Sequence, residues 1–270
     1  MRRCLILFVV GTCAMVFTQN TATSGESFAA SNDSVNRTAF SVNTAVYVGS
    51  ENQPTIRTVT RFWGERAIDE VVGSDRPISW YDFETQTVTL LDRRSKKKAS
   101  ISFSDLLRFQ AQLTMSAEKA KGLGAFLARP TFVREFDASE GTIALSSPWI
   151  NYKAEGVQAR SDMVESFVAF ADTSSRLASM LSPTAPPAQA RLELNKALKN
   201  RNWQVTRVTR TGGPRAVELG QVRSEHRYHE DLSEADRNFI EATEKELKSF
   251  EEISFSDFRA LQNLKRVATK

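Results

Sequence analysis

The sequence predicts an α+β fold in which an antiparallel sheet carries packed helices. Three observations lead there. Short runs of alternating apolar and polar residues follow one another from about Ala45 to Phe103, separated by turn residues. Helical spacing of apolar residues then appears twice, after Ser104 and after Asp162. Between and beyond those stretches the two-residue period returns.

At the N-terminus Arg2 and Arg3 precede an apolar run from Cys4 to Phe17, after which the chain turns polar. This is the layout of a secretory signal peptide, assigned to residues 1–24, with small residues at Ala22-Thr23-Ser24 for cleavage. The run is shorter than the ~20 apolar residues that span a bilayer. The segment VVGTC offers an alternative, a lipoprotein signal that would place a lipid on Cys13. Either way the expected location is extracytoplasmic, periplasmic or secreted. Residues 25–44 are rich in Ser, Thr, Asn and Ala and read as a disordered tether, with residues 45–270 as a single α+β domain.

Strands are expected at about Ala45–Val48, Ile56–Trp63, Arg66–Val72, Ile78–Phe83, Thr87–Leu91 and Ala99–Phe103, a meander of adjacent hairpins. Val88 and Leu90 before, and Ala99, Ile101 and Phe103 after, make Arg93, Arg94, Lys96, Lys97 and Lys98 the connecting loop of one hairpin. Five like charges at a tip stay solvated, and a weak contact with an anionic surface is the functional alternative. Ser104 is placed to cap a helix running toward Gly122 or Gly124. Strands resume at about Phe132–Phe136, Thr142–Ser146 and Trp149–Ala154, before a helix over Asp162–Leu181 whose stripe includes Phe167, Phe170 and Leu177. Residues 185–270 form a helix-hairpin-helix extension. In it Pro186 and Pro187 open a helix to about Lys199, a hairpin spans Trp203–Tyr228, and Ser233 with Asp236 forms a capping box. The segments ISFSDLL and ISFSDFR, from Ile101 and Ile253, share one local solution for starting a helix.

Composition excludes several functions. Of 36 Lys+Arg residues, removing Arg2 and Arg3 leaves 34 against 32 Asp+Glu, so the mature chain is balanced and nucleic acid is not an expected partner. Both cysteines, Cys4 and Cys13, lie in the signal, which leaves no disulfide, thiol nucleophile or thiolate ligand. The sequence lacks the nucleophile elbow, the phosphate-binding loop, the dinucleotide fingerprint and the zinc-protease motif, so no cofactor and no catalytic residue is nominated. The two histidines, His226 and His229 in EHRYHED, point to opposite faces if they lie on a strand. In a turn they could converge with neighbouring carboxylates on a metal, the basis for a metal-dependent hydrolase.

The segment ISWYDFETQTVTLLD, Ile78 to Asp92, resembles the strand-turn-strand of the bacterial lipoprotein-carrier and outer-membrane lipoprotein-receptor family. The resemblance extends over about residues 55–152. It implies a curved antiparallel sheet or incomplete β-barrel that wraps around acyl chains. Arg57 and Arg61 are strand arginines in the matching region, without assignment to the family's lipid-contacting arginine, and the stretch from Leu192 onward has no counterpart. The resulting expectation is a non-enzymatic binding protein for a lipid, lipoprotein or other hydrophobic ligand, lined by Trp80, Phe83, Val88, Leu90, Ile101 and Trp149. The alternatives are the His226/His229 hydrolase and a structural or adaptor protein of the cell envelope.

Overall fold

The computed structural model describes residues 38–117, 119–182 and 188–268. The signal segment, Cys13, the first part of the tether and the Pro186-Pro187 pair lie outside the described residues. Twelve strands form one sheet: β1 (Ala39–Val48), β2 (Ile56–Trp63), β3 (Arg66–Val71), β4 (Ile78–Asp82), β5 (Thr87–Asp92), β6 (Lys97–Ser102), β7 (Val133–Asp137), β8 (Thr142–Ser146), β9 (Ile150–Gln158), β10 (Trp203–Gly212), β11 (Gln221–His229) and β12 (Glu251–Glu252). Their order across the sheet is β12-β6-β5-β4-β3-β2-β1-β11-β10-β9-β8-β7. Neighbours run antiparallel, except that β12 lies parallel to β6. The ends do not pair with each other, so the sheet stays open. The helices are α1 (Phe103–Ala117), α2 (Leu123–Ala128), α3 (Ser161–Leu181), α4 (Gln189–Lys199), α5 (Glu234–Ser249) and α6 (Phe255–Ala268). Among the described residues no helix is long and apolar enough to cross a membrane.

The tether ends sooner than the sequence suggests. Ala39–Thr44 belong to β1, where Phe40 and Val42 are fully buried, because that strand is paired along both edges and needs its full length.

Both faces of the sheet are covered around β2–β5. On the inner face a cross-strand row runs Ile101, Val88, Tyr81, Ala67, Phe62, Phe40. Phe40 and Phe62 stack at 4.3 Å between ring centroids, and Phe170 of α3 meets Phe62 and Tyr81 edge-on at 5.6 and 5.0 Å. On the outer face Ile68, Ile78, Trp80 and Leu91 pack with Leu232 and with Ile240 of α5. Burying apolar side chains on both sides is the main source of stability here, at roughly 25 cal/mol per Å² removed from water.

The basic loop proves to be a fastening for the C-terminal segment. The turn itself is confined to residues 93–96, with Asp92 Oδ1 accepting from the backbone N–H of Arg94 and Ser95, and Lys96 at φ 52°. Arg93 Nε donates to Glu246 of α5 at 2.8 Å, and its guanidinium lies 4.8 Å from the Phe239 ring. Lys98 Nζ donates to the Leu247 carbonyl at 2.5 Å, while Lys97 faces Glu251 at 3.5 Å. Arg94 and Lys96 remain exposed. The cluster is therefore divided between intramolecular contacts and solvent.

Helix starts follow the expected chemistry with one shift. The cap of α1 is Ser102, not Ser104: Asp105 N–H donates to Ser102 Oγ at 3.1 Å. At α6, Asp257 N–H donates to Ser254 Oγ at the same 3.1 Å, so the two ISFSD segments adopt one geometry. Ser233 and Asp236 form the capping box of α5. The apolar stretch after α1 does not continue it; Gly122, at φ 65°, precedes the separate α2.

Arg61 is the outer-face anchor. Its Nε reaches Asp236 at 2.8 Å, its Nη1 reaches Glu70 at 3.0 Å, and its guanidinium stacks 4.0 Å from Phe239, with only 10% of its side chain exposed. Removing one member of such a buried set leaves the others desolvated and unpaired. Arg61→Leu is expected to lower stability by about 3 kcal/mol, read as a fall in the urea midpoint at unchanged slope.

Candidate ligand-binding face

The inner face is not uniformly apolar. Cross-strand register brings Asp69 of β3, Thr60 and Thr58 of β2, Thr44 of β1 and His226 and Tyr228 of β11 to the same face as Phe40 and Phe62. Thr60 Oγ1 donates to Asp69 Oδ1 at 2.7 Å. His226 is held at both ring nitrogens, Nδ1 with Thr44 Oγ1 and Nε2 with Ser224 Oγ, each at 3.0 Å. Phe167 of α3 closes over this pair, 5.6 Å from the His226 ring and 5.5 Å from Tyr228.

Helix α4 adds a cation to this face. Arg191 Nε donates to Asn195 Oδ1 at 2.9 Å, and Asn195 Nδ2 donates to Asp172 Oδ1 of α3 at 2.7 Å. Asn195 thus spaces the guanidinium from the carboxylate. Tyr152 of β9 and Arg210 of β10 are cross-strand partners nearby, with Arg210 Nη2 donating to the Leu219 carbonyl at 3.3 Å. The buried Arg210 Nε and Tyr228 Oη have no hydrogen-bond partner among the described residues.

Desolvation dominates the electrostatics. Burial pushes the Asp69 carboxyl up to about 6, against the lowering effect of the Thr60 and Thr58 hydroxyls. Burial first, and then the positive charge of Arg191, bring His226 down to about 3, so this imidazole is neutral at physiological pH. Tyr152 and Tyr228 are raised and Arg191 is lowered, each mainly by burial. Yet Asp69, His226, Tyr228 and Arg191 are all only half-buried by accessible surface.

Phe83, Val88, Leu90, Ile101 and Trp149 fall in or against the inner core cluster. Trp80 does not: its strand parity turns it to the outer face, where it meets Trp63 edge-on at 5.1 Å beneath α5. The histidines separate as well. His226 faces inward, whereas His229 is exposed and bonds Asn43 Nδ2 at 3.1 Å, because residues three apart on β11 point to opposite faces. Among the described residues no group of three His, Cys, Asp or Glu side chains converges on a metal-sized site. The metal-dependent hydrolase thus loses the geometry on which it rested. Arg57 and Arg61 both project outward, Arg57 into an outer groove of about 620 Å³ shared with Tyr47, Arg207 and Arg227.

Sequence reasoning missed Asp69, Arg191 and Tyr228. The signal was a polar residue at an inward position: Asp69 between Ala67 and Val71, and Arg191 one turn from Asn195 on the helix that buries Ala190 and Leu194. A scan against protein-family models finds no match to this chain, and no curated protein matches it.

Asp69 and His226 oppose each other in pH dependence. The raised Asp69 contributes stability that is present below about pH 4 and lost as pH rises through about 6. The lowered His226 contributes stability that is present above about pH 6.5 and lost as pH falls toward about 3. Asp69→Asn, which keeps an acceptor for Thr60, is expected to raise stability at pH 7.5 by on the order of 2 kcal/mol and to leave it nearly unchanged at pH 4. His226→Gln is expected to flatten the acid loss. Urea midpoints of the two variants and wild type at pH 7.5, 5.5 and 4 measure both effects.

Proposed function

We propose that this protein is a non-enzymatic, extracytoplasmic binding protein that holds a lipid, the acyl part of a lipoprotein or another hydrophobic ligand on the inner face of its open sheet. The observation that carries the reading is the mixed character of the inner sheet face. Asp69, His226 and Tyr228, half-buried and desolvated, share that face with the buried Phe40 and Phe62, and Phe167 and Phe170 of α3 pack over it. A concave apolar wall with a few convergent polar groups is what small hydrophobic ligands select.

Two further features support it. The sheet stays open, so its curvature can widen without breaking a closed ring of hydrogen bonds. Helix α1 covers the inner core loosely: of its fifteen residues Leu106 is buried, while Leu107 and Met115 are 53% and 68% exposed. A cover with so few apolar contacts opens at low free-energy cost. This matches what the resemblance to the lipoprotein-carrier family implies, an incomplete barrel around acyl chains. Arg94 and Lys96 are the part of the basic loop left for an anionic surface.

Native mass spectrometry of the mature protein, isolated from its own envelope fraction without detergent, tests the proposal against the mass of the denatured chain. A discrete increment of lipid size is expected. Equal masses, together with no uptake of a fluorescent fatty acid by the purified protein, would sink the carrier reading in favour of an adaptor role.

A further inference from the structure

The outer face holds a groove of about 620 Å³ beside the part that α5 covers, with walls that come from strands and loops alone. Register places Arg57 of β2 opposite Ala45 of β1, and Arg227 of β11 opposite Asn43, so the two guanidinium groups flank β1 on one face. Strands β2 and β11 lie roughly 10 Å apart across β1, and the short side chains of Ala45 and Asn43 form the floor between them. Arg57 and Arg227 are exposed and make no hydrogen bond or ion pair among the described residues. Their neighbours on this face are paired. Arg61 holds Glu70 and Asp236, Arg207 holds Glu155 at 3.1 Å and Glu225 at 3.5 Å, and Arg223 Nε lies 3.4 Å from the same Glu225. Glu225 also accepts from the Tyr47 hydroxyl at 3.4 Å, so it is committed away from Arg57 and Arg227. A β-bulge between Val205 and Arg207 lets Val205 and Val208 both face the core while Arg207 turns into the groove. Two like charges across one short gap repel each other until an anion sits between them.

We infer that this outer groove binds an acidic sugar, with one carboxylate or phosphate group bridging Arg57 and Arg227 over Ala45 and its hydroxyls reaching Asn43, Glu155 and Glu225. A guanidinium offers planar, paired donors that match the oxygens of either anion. The carboxylates of the opposite wall select against a second anion placed in line, as in a nucleic acid or a densely charged polymer, and keep lone pairs free to accept from hydroxyl groups. An extended peptide finds no strand edge to join, because β1, β2, β10 and β11 are each hydrogen-bonded along both sides. Recognition therefore rests on side chains, and Arg, Glu, Asn and Tyr are the types that read hydroxyl-bearing rings. The site lies on the opposite face from the proposed lipid-binding surface, and the two readings stand or fall separately.

The test is calorimetric titration of the full mature protein with a hyaluronan tetrasaccharide, which carries a carboxylate on every second sugar, and with neutral chitotetraose. Wild type is expected to bind the acidic sugar about tenfold more tightly. Arg57→Gln and Arg227→Gln, both at exposed positions that leave the fold intact, are each expected to weaken it about fivefold, and the double variant to bind both sugars alike. Arg94→Gln, equally exposed but on the β5–β6 turn, is expected to change nothing. Competition by glucuronate and by glucose 6-phosphate separates the two anions, the better competitor naming the group that sits between the arginines. Equal affinity for the two tetrasaccharides, or no binding of either, overturns the inference. Equal weakening by Arg94→Gln, or tighter binding of a heparin tetrasaccharide, reduces the groove to general attraction of polyanions and overturns it as well. Displacement at the same concentration by inorganic phosphate or by a hexaglutamate peptide overturns the sugar in favour of a bare anion or an acidic chain.

Discussion

Every feature of the inner face depends on β1 being hydrogen-bonded along both edges. It pairs with β2, its neighbour in sequence, and with β11, about 180 residues away, over eight residue pairs on each side. This double pairing joins the meander β2–β6 to the strands β7–β11 and makes one sheet of what would otherwise be two. It also fixes parity. A slip of one residue at β1·β11 would turn His226 and Tyr228 outward and bring His229 and Arg227 against Phe167, exposing aromatic surface and burying charge. Full burial of Phe40 and Val42, each on the inner side of β1, opposes that slip. Closing so long a loop carries an entropic cost that is repaid only once the strand zips, which places the β1·β11 pairing late in folding.

The chemistry of the interior follows from that register. An all-apolar inner face would be more stable, because desolvated polar groups raise the free energy of the folded state unless fully bonded. His226 meets the requirement at both nitrogens, and Asp69 meets it through threonine hydroxyls. Among the described residues, Arg210 Nε and Tyr228 Oη do not meet it, and Arg191 meets it at Nε.

The elements were largely legible in the sequence, since strand alternation and helix spacing report on which side chains are buried, and burial around β2–β6 and α3 is decisive. Boundaries failed where tertiary pairing overrode composition. Ala39–Thr44 look like tether until β11 supplies the partner that orders them. Trp80 stands among the expected lining residues yet faces outward, because Ile78, Trp80 and Tyr81 are all buried, and a strand buried on both faces carries no alternation from which to choose. The site was mostly illegible for a different reason. Asp69, Arg191 and Tyr228 lie on strands and a helix remote in sequence, and single polar residues inside apolar stretches have no spacing that marks them as a set. His226 and His229 drew attention by their proximity in the chain, which on a strand is what separates them.

The parallel pairing of β12 with β6 spans only Glu251 and Glu252 opposite Lys97 and Lys98, so the sheet's last strand contributes little backbone bonding to the segment that follows β11. What retains α5 and α6 is side-chain packing: Leu232 and Ile240 in the outer apolar cluster, Phe258 in the inner one, Arg61 and Arg93 against Phe239, Asp236 and Glu246, and Gln262 reaching Asp92 Oδ2 at 2.7 Å. A segment held mainly by side chains is expected to open before the β1–β11 framework does. Its amides would then exchange with solvent by sub-global opening, and raised ionic strength, which screens the half-exposed Arg93–Glu246 pair, would speed that exchange while leaving the amides of β1 untouched.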